Sequence, residues 1–283
     1  MIPNAMSLKA RIKNLAKQTG AAPQALLQAF FFERFLERLS RSEYRDKFVV
    51  KGGMLISAMV GVAQRSTMDL DTTVRNLQML PEKVQNAVAD ICALHADDGL
   101  FFEAGSVAAI RADDPYGGFR ASLTAHYGVI EQPMTIDVTT GDAITPRPVR
   151  FSISGMLDGE EIPVWAYNVE TILAEKAESI LARNITSTRP RDFYDVYILS
   201  ALNTYDPATF RDALAATAAH RGSTAAIADT AVLIVHIAES PELRAQWEKY
   251  QKQFPYAAGI QYEDTIEALS RLLSMSGQCQ EKV

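Results

Sequence analysis

Phe48-Val49-Val50-Lys51-Gly52-Gly53 and, a short way on, Met68-Asp69-Leu70-Asp71-Thr72-Thr73-Val74 are the stretches that decide the fold. The first is a brief apolar run that meets two glycines and continues as a helical pattern through Val60, the signature of a strand entering a tight turn and leaving as a helix. Glycine at such a turn lets a backbone or a ligand come close. In the second stretch, strict alternation sets Asp69, Asp71 and Thr73 on one strand face and Met68, Leu70 and Thr72 on the other. Two aspartates on one face repel each other unless a cation lies between them, and magnesium takes carboxylate oxygens together with substrate phosphates. The turn beside them can accept phosphate oxygens. An Asp-x-Asp triplet by itself is explained as well by an ordinary solvent-facing strand edge; the glycine turn upstream is what favours a site.

Working toward the C-terminus, Pro81 opens a helix with Val84, Val88, Ile91 and Leu94 as its buried stripe, closing near Asp97-Asp98-Gly99. The period then changes to two. Phe102 to Arg111, Phe119 to Tyr127 and Met134 to Thr139 read as a largely antiparallel meander, its first two strands joined through Asp113-Asp114-Pro115-Tyr116-Gly117-Gly118. Asp137 sits mid-strand between Ile136 and Val138, which point the other way, so a third carboxylate can share the cleft if the strands are neighbours. After Pro146, Pro148 and the Asp158-Gly159 turn the chain reads as helical to its end, with Asn168 as an N-cap, a second helix from Pro190, and Asp206-Pro207 and Ser240-Pro241 as further helix starts. Lys176 falls inside the packed stripe of Ile172, Ala177, Ile180 and Leu181, where a lysine either snorkels to the edge or meets an anion. Arg183 extends the same line of positive charge, and Asp192 and Asp195 open the following helix on one face.

Toward the N-terminus, apolar residues from Ser7 to Leu39 recur at helical spacing, with a break at Thr19-Gly20. Lys9, Arg11, Lys13 and Lys17 occur there before any acid, followed by Arg34, Arg38, Arg41, Arg45 and Lys47; this segment is either a phosphate-binding face or a solvated helix face.

Composition bounds these readings. The chain has 283 residues, 48% of them hydrophobic, and a net charge of −6, which suits one or two folded domains and argues against nonspecific coating of nucleic acid. Cys92 and Cys279 supply neither a disulfide framework nor a zinc site, and Cys92 reads as a small core residue. The four histidines are scattered and no Gly-x-Ser-x-Gly occurs, which argues against a zinc hydrolase or a serine triad. No stretch approaches about 18 uncharged apolar residues, and the N-terminus has no apolar signal core. Neither a membrane span nor a signal peptide is expected, and a cytoplasmic location is.

Three blocks together resemble the AbiEii/AbiGii-type nucleotidyltransferase toxins, which include the MenT toxins, of the DNA polymerase beta-like superfamily. They are Lys51-Gly52-Gly53 followed by Arg65-Ser66-Thr67-Met68-Asp69-Leu70-Asp71, then Glu175-Lys176-Ala177 with Arg183 downstream, then Arg191-Asp192-Phe193-Tyr194-Asp195. They stand in the family's order over residues 48–200, and they are specific as a set rather than singly. The resemblance implies that Gly52 and Gly53 shape the triphosphate turn, that Asp69 and Asp71 bind magnesium, that Lys176, with Arg183 beyond it, contacts nucleotide phosphates, and that Asp192 and Asp195 complete the site. Gly53 stands where the wider superfamily usually has serine, which leaves Ser66 or Thr67 to supply the hydroxyl. Asp137 matches the superfamily's third carboxylate, a metal ligand and base, by position alone; either it or the Asp192/Asp195 pair fills that role.

The implied reaction transfers a nucleoside monophosphate from a nucleoside triphosphate to a hydroxyl, with pyrophosphate leaving. Family resemblance points to the tRNA 3′ end as acceptor and to a cognate antitoxin as partner. A noncatalytic scaffold that holds nucleotide or RNA, and nucleotidylation of a protein or small molecule, are the alternatives. The expected architecture is α+β: a nucleotidyltransferase core with a mixed sheet at residues 48–165, a helical N-terminal arm at 1–47, and a helical C-terminal region at 166–283 that walls the cleft. Asp69→Asn and Lys176→Ala are each expected to abolish transfer and leave the fold intact.

Overall fold

The computed structural model describes residues 2, 4–110, 117–275 and 277; the expected turn residues Asp113 to Tyr116 and Cys279 lie outside them. The N-terminal sequence forms α1 (Ala5–Thr19) and α2 (Pro23–Arg41). Asn4 caps α1 by accepting from the Ser7 N–H, and Gly20, at φ 72°, ends it at the expected break. β1 (Phe48–Lys51) runs directly into α3 (Gly52–Val60), followed by β2 (Leu70–Val74) and α4 (Pro81–Ala93). The meander is β3 (Phe101–Ile110), β4 (Gly118–Tyr127) and β5 (Ile130–Thr140). Where the sequence suggested only turns, β6 (Val149–Ser154) and β7 (Glu161–Ala166) form a further hairpin.

The seven strands make one mixed sheet in the order β3-β4-β5-β2-β1-β7-β6. β2 runs parallel to β5 and β1 parallel to β7, while the other neighbours are antiparallel. Alternation decides which face is covered. Phe48, Val50, Leu70, Val74, Leu123, Ile136 and Val138 are buried on one face, and α2 packs there, Phe35 meeting Phe102 edge-on with ring centroids 5.9 Å apart. The opposite face carries the charged row described below.

The chain forms two compact units, residues 1–141 with 149–166, and 142–148 with 167–283. Both N-terminal helices belong with the sheet in the first unit. The basic segment therefore divides: Lys9, Arg11, Lys13 and Lys17 lie exposed on α1, whereas Arg34 and Arg38 are interior. Arg38 forks onto Asp98 at 3.0 and 2.9 Å and donates to the carbonyls of Leu94 and Leu100, and Arg34 pairs with Asp158 at 3.2 Å. These two arginines are structural partners of distant acids.

The second unit is built on α5 (Val169–Arg183), α6 (Pro190–Leu202), α7 (Pro207–Arg221), α8 (Thr230–Glu239), α9 (Pro241–Gln253) and α10 (Tyr262–Met275). Asn168, Asp206 and Ser240 each accept a backbone N–H at their helix starts, as expected. Among the described residues no helix is long and apolar enough to cross a membrane.

Candidate active site

The turn between β1 and α3 sets the first part of the site. Gly52 has φ 66°, a left-handed conformation that a side chain disfavours. A Cβ at Gly52 would lie 2.0 Å from Oδ2 of Asp71. Gly52 thus turns the chain and lets the first residue of α3 meet the Asp71 carboxylate, at a helix end whose unpaired N–H groups favour anions. A Cβ at Gly53 would lie 2.5 Å from Oγ1 of Thr67. The Thr67 hydroxyl therefore stands where a side chain at position 53 would begin. That hydroxyl donates to the Asp69 carbonyl and accepts from the Asp69 N–H, both at 3.3 Å, which fixes the approach to β2. Arg65, buried nearby, donates to the Ser66 carbonyl.

Strand register sets the second part. Lys51 of β1 is opposite Asp71 of β2, Asp71 is opposite Asp137 of β5, and Asp137 is opposite Arg120 of β4. Directly opposed residues share a face, so four strands present one row in which two cations flank two carboxylates. Asp69, exposed, precedes β2 by one residue. Arg120 donates from Nε to Oδ1 and from Nη2 to Oδ2 of Asp137, each at 2.7 Å. The hydrogen bonds and charge of Asp137 raise the Arg120 pKa further above its ordinary value, and the charges of Asp69 and Asp71 act in the same direction.

Arg120 was not among the residues singled out from the sequence. The period-two pattern of β4 placed it on a strand, but its partner is decided by the β4–β5 register, which no local pattern announces.

Among the described residues, no group of three or more His, Cys, Asp or Glu side chains is arranged to hold a metal ion. Asp69 and Asp71 still supply the hard oxygen donors that magnesium takes alongside phosphate. Asp137 does not fit as an open ligand, because both of its oxygens accept from Arg120.

The remaining expected site residues lie in the second unit. The ammonium of Lys176 is 2.8 Å from Asp192 Oδ1 and 2.8 Å from Asp195 Oδ2, and Arg189 Nε is 3.0 Å from Asp192 Oδ2. Asp192 and Asp195 are 1% and 0% exposed, so the lysine on the packed stripe of α5 meets anions rather than snorkelling to water. Pro190 starts α6 so that both acids fall in its first turns on the face toward α5. Burial works against the Lys176 charge, but Asp195 and Asp192 overcome it and hold its pKa above the usual value. Arg183 is exposed at the end of α5. Gly52, Gly53, Ser66, Thr67, Asp69, Asp71 and Asp137 thus gather in one unit, and Lys176, Arg183, Asp192 and Asp195 in the other.

The model of a family described as the nucleotidyl transferase AbiEii toxin of a type IV toxin–antitoxin system matches residues 34–269. No curated protein matches the chain. Among solved structures, it is similar to a proposed nucleotidyltransferase from H. pylori at 15% identity and a TM-score of 0.49, covering 92% of this chain and 100% of that one. JHP933 from Helicobacter pylori follows at 15% identity and 0.48, covering 91% and 95%. An antigenic nucleotidyltransferase-like protein from Paracoccidioides brasiliensis stands at 14% identity and 0.43, covering 88% and 94%.

Proposed function

Because the chain belongs to the AbiEii family of nucleotidyltransferase toxins of type IV toxin–antitoxin systems, we propose that it moves a nucleoside monophosphate from a nucleoside triphosphate to the 3′ hydroxyl of a tRNA, with magnesium at Asp69 and Asp71. The observation that carries this reading is the contact of the Asp71 carboxylate with Gly52 at the start of α3, which puts metal-type donors and phosphate-accepting amides at one spot.

In the proposed step the acceptor hydroxyl loses its proton to solvent and its oxygen attacks the α-phosphorus, the bond from that phosphorus to the bridging oxygen breaks, and pyrophosphate leaves with that electron pair. Magnesium, when bound, neutralises the triphosphate and the charge that develops on it. Backbone N–H groups at the Gly52-Gly53 turn orient the phosphates, and Thr67, with Ser66 beside it, replaces the hydroxyl that position 53 lacks. Lys176 and Arg183 are assigned to nucleotide phosphates, with Asp192 and Asp195 holding the Lys176 ammonium in one orientation. Asp137, engaged by Arg120, is given no proton-transfer role. A cognate antitoxin is the partner that family membership implies, and a tRNA acceptor places the reaction in the cytoplasm.

The test incubates purified protein with total RNA and each α-labelled triphosphate in turn, with magnesium or with EDTA. Label should enter the tRNA band with magnesium and be lost with EDTA and in Asp69→Asn. Label in a polypeptide instead would overturn the acceptor, and label in neither would overturn the transferase reading.

A further inference from the structure

The row Lys51, Asp71, Asp137, Arg120 ends in a guanidinium that sits on the far side of Asp71 from the glycine turn. Its two bonds to Asp137 run from Nε and Nη2, a side-on fork that uses two of the five N–H donors of an arginine. The end-on edge, formed by Nη1 and the outer N–H of Nη2, points away from Asp137. The Arg120 side chain is 51% exposed against 20% for Asp137, so the arginine is the open member of the pair. In the row Arg120 stands two strands from Asp71 with Asp137 between them, a backbone separation of about 10 Å that the length of an arginine side chain can span. A second divalent cation bound by Asp137 would first have to displace an arginine held by two short charged bonds. The guanidinium already supplies a positive charge at that place, and it does so in a geometry matched to two phosphate oxygens.

We propose that Arg120 binds the reacting phosphoryl group from the side opposite the Gly52-Gly53 turn, and that Asp137 is its positioning residue rather than a metal ligand or general base. The proposal rests on the nucleotidyl-transfer reading above. The acceptor hydroxyl gives its proton to solvent as its oxygen bonds to the α-phosphorus, the pyrophosphate oxygen departs with the electron pair of the broken bond, and the end-on edge of Arg120 holds two non-bridging oxygens of that phosphorus while its negative charge redistributes. A fixed donor aimed at developing charge is worth about 10²–10³ in rate. Lysine at position 120 keeps the charge but cannot grip Asp137 and two phosphate oxygens together.

Two measurements test this. The first counts Mn²⁺ by electron paramagnetic resonance on the whole protein with a non-reacting triphosphate analogue, and needs no turnover. One Mn²⁺ per chain is expected, unchanged in Asp137→Asn; a second Mn²⁺ that Asp137→Asn loses overturns the proposal, whatever the acceptor proves to be. The second follows pyrophosphate release. Arg120→Ala should lose about 10²–10³ in kcat with the triphosphate KM within about threefold, and Arg120→Lys should recover less than a tenth of the loss. Asp137→Asn should lose less than Arg120→Ala, and the double variant should be no slower than Arg120→Ala alone, because a positioning residue has nothing left to position. Additive losses, or a larger loss in Asp137→Asn than in Arg120→Ala, would return Asp137 to the role of ligand or base. Melting curves check that each variant folds, and Arg120→Lys serves if Asp137→Asn does not. Absence of pyrophosphate release from the unaltered protein would strike the transfer reading and leave the Mn²⁺ count to decide the role of Asp137.

Discussion

Gly52 and the Asp71 carboxylate lie so close that no side chain fits between them. Gly52→Ala should therefore be costly twice: a left-handed alanine costs about 1–2 kcal/mol, and its methyl group pushes the carboxylate out of place. Transfer should fall at least about 100-fold while thermal melting drops by only a few degrees; unaltered transfer would contradict the proposed role of this contact. Asp69 presents the opposite case. It is exposed, so Asp69→Asn should abolish labelled-nucleotide transfer with no change in melting temperature beyond error. Lys176 is different again, because it neutralises two acids that are 1% and 0% exposed. Removing one partner of a buried ion pair costs about 3–5 kcal/mol, so the expectation that Lys176→Ala leaves the fold intact does not survive the geometry. Urea unfolding should show that loss, and adding Asp195→Asn to Lys176→Ala should recover part of it by removing one buried charge. No recovery would mean the acids find other partners.

Among the elements, α2 shows how a helix reads differently from inside and outside. It buries Glu33, whose pKa burial pushes up to about 8 from 4.5, against a hydrogen bond from the Met156 N–H that pulls it down. Below pH 4.5 folded and unfolded chains both carry the proton. Between about 4.5 and 8 the unfolded chain ionises first, so this residue's contribution to stability is lost as pH rises across that window and is gone above it. Glu33→Gln should flatten the fall in urea midpoint between pH 5 and pH 8; an equally steep fall in the variant would place the effect elsewhere. The helix itself was plain in the sequence, because apolar spacing is a local signal, and so were the β1-turn-α3 unit, the meander and the caps at Asn168, Asp206 and Ser240. What Arg34 and Arg38 do was not, because their acids lie at Asp158 and Asp98, far along the chain. The hairpin β6–β7 was missed for a related reason. Pro163 interrupts β7, and is tolerated because β1 pairs only with Trp165 and Ala166 and asks nothing of position 163. In the candidate site, Asp69, Asp71 and Lys176 stood out because carboxylates on an alternating strand and a cation on an apolar stripe are local anomalies. Arg120 on a half-polar strand is no anomaly until register puts it opposite Asp137.

At the scale of the molecule, the chain completes its first unit, lends residues 142–148 to the second, and returns through 149–166 before entering the second for good. The sheet is therefore not finished at Gly141. A chain ended there leaves β1 with an open edge where β7 belongs, and should elute as oligomers or precipitate. One ended at Ala166 keeps all seven strands and should elute as a monomer with strand-type circular dichroism; identical behaviour of the two would show that β7 does not protect that edge. The same topology has a consequence during synthesis. A ribosome delivers α3, Asp69, Asp71 and Asp137 well before the strand that encloses β1, and it delivers Lys176, Asp192 and Asp195 later still. Translation proceeds at about 5–20 residues per second, so a nascent chain spends seconds with its carboxylates made and its lysine unborn, a half-finished charge pattern that the last helices complete.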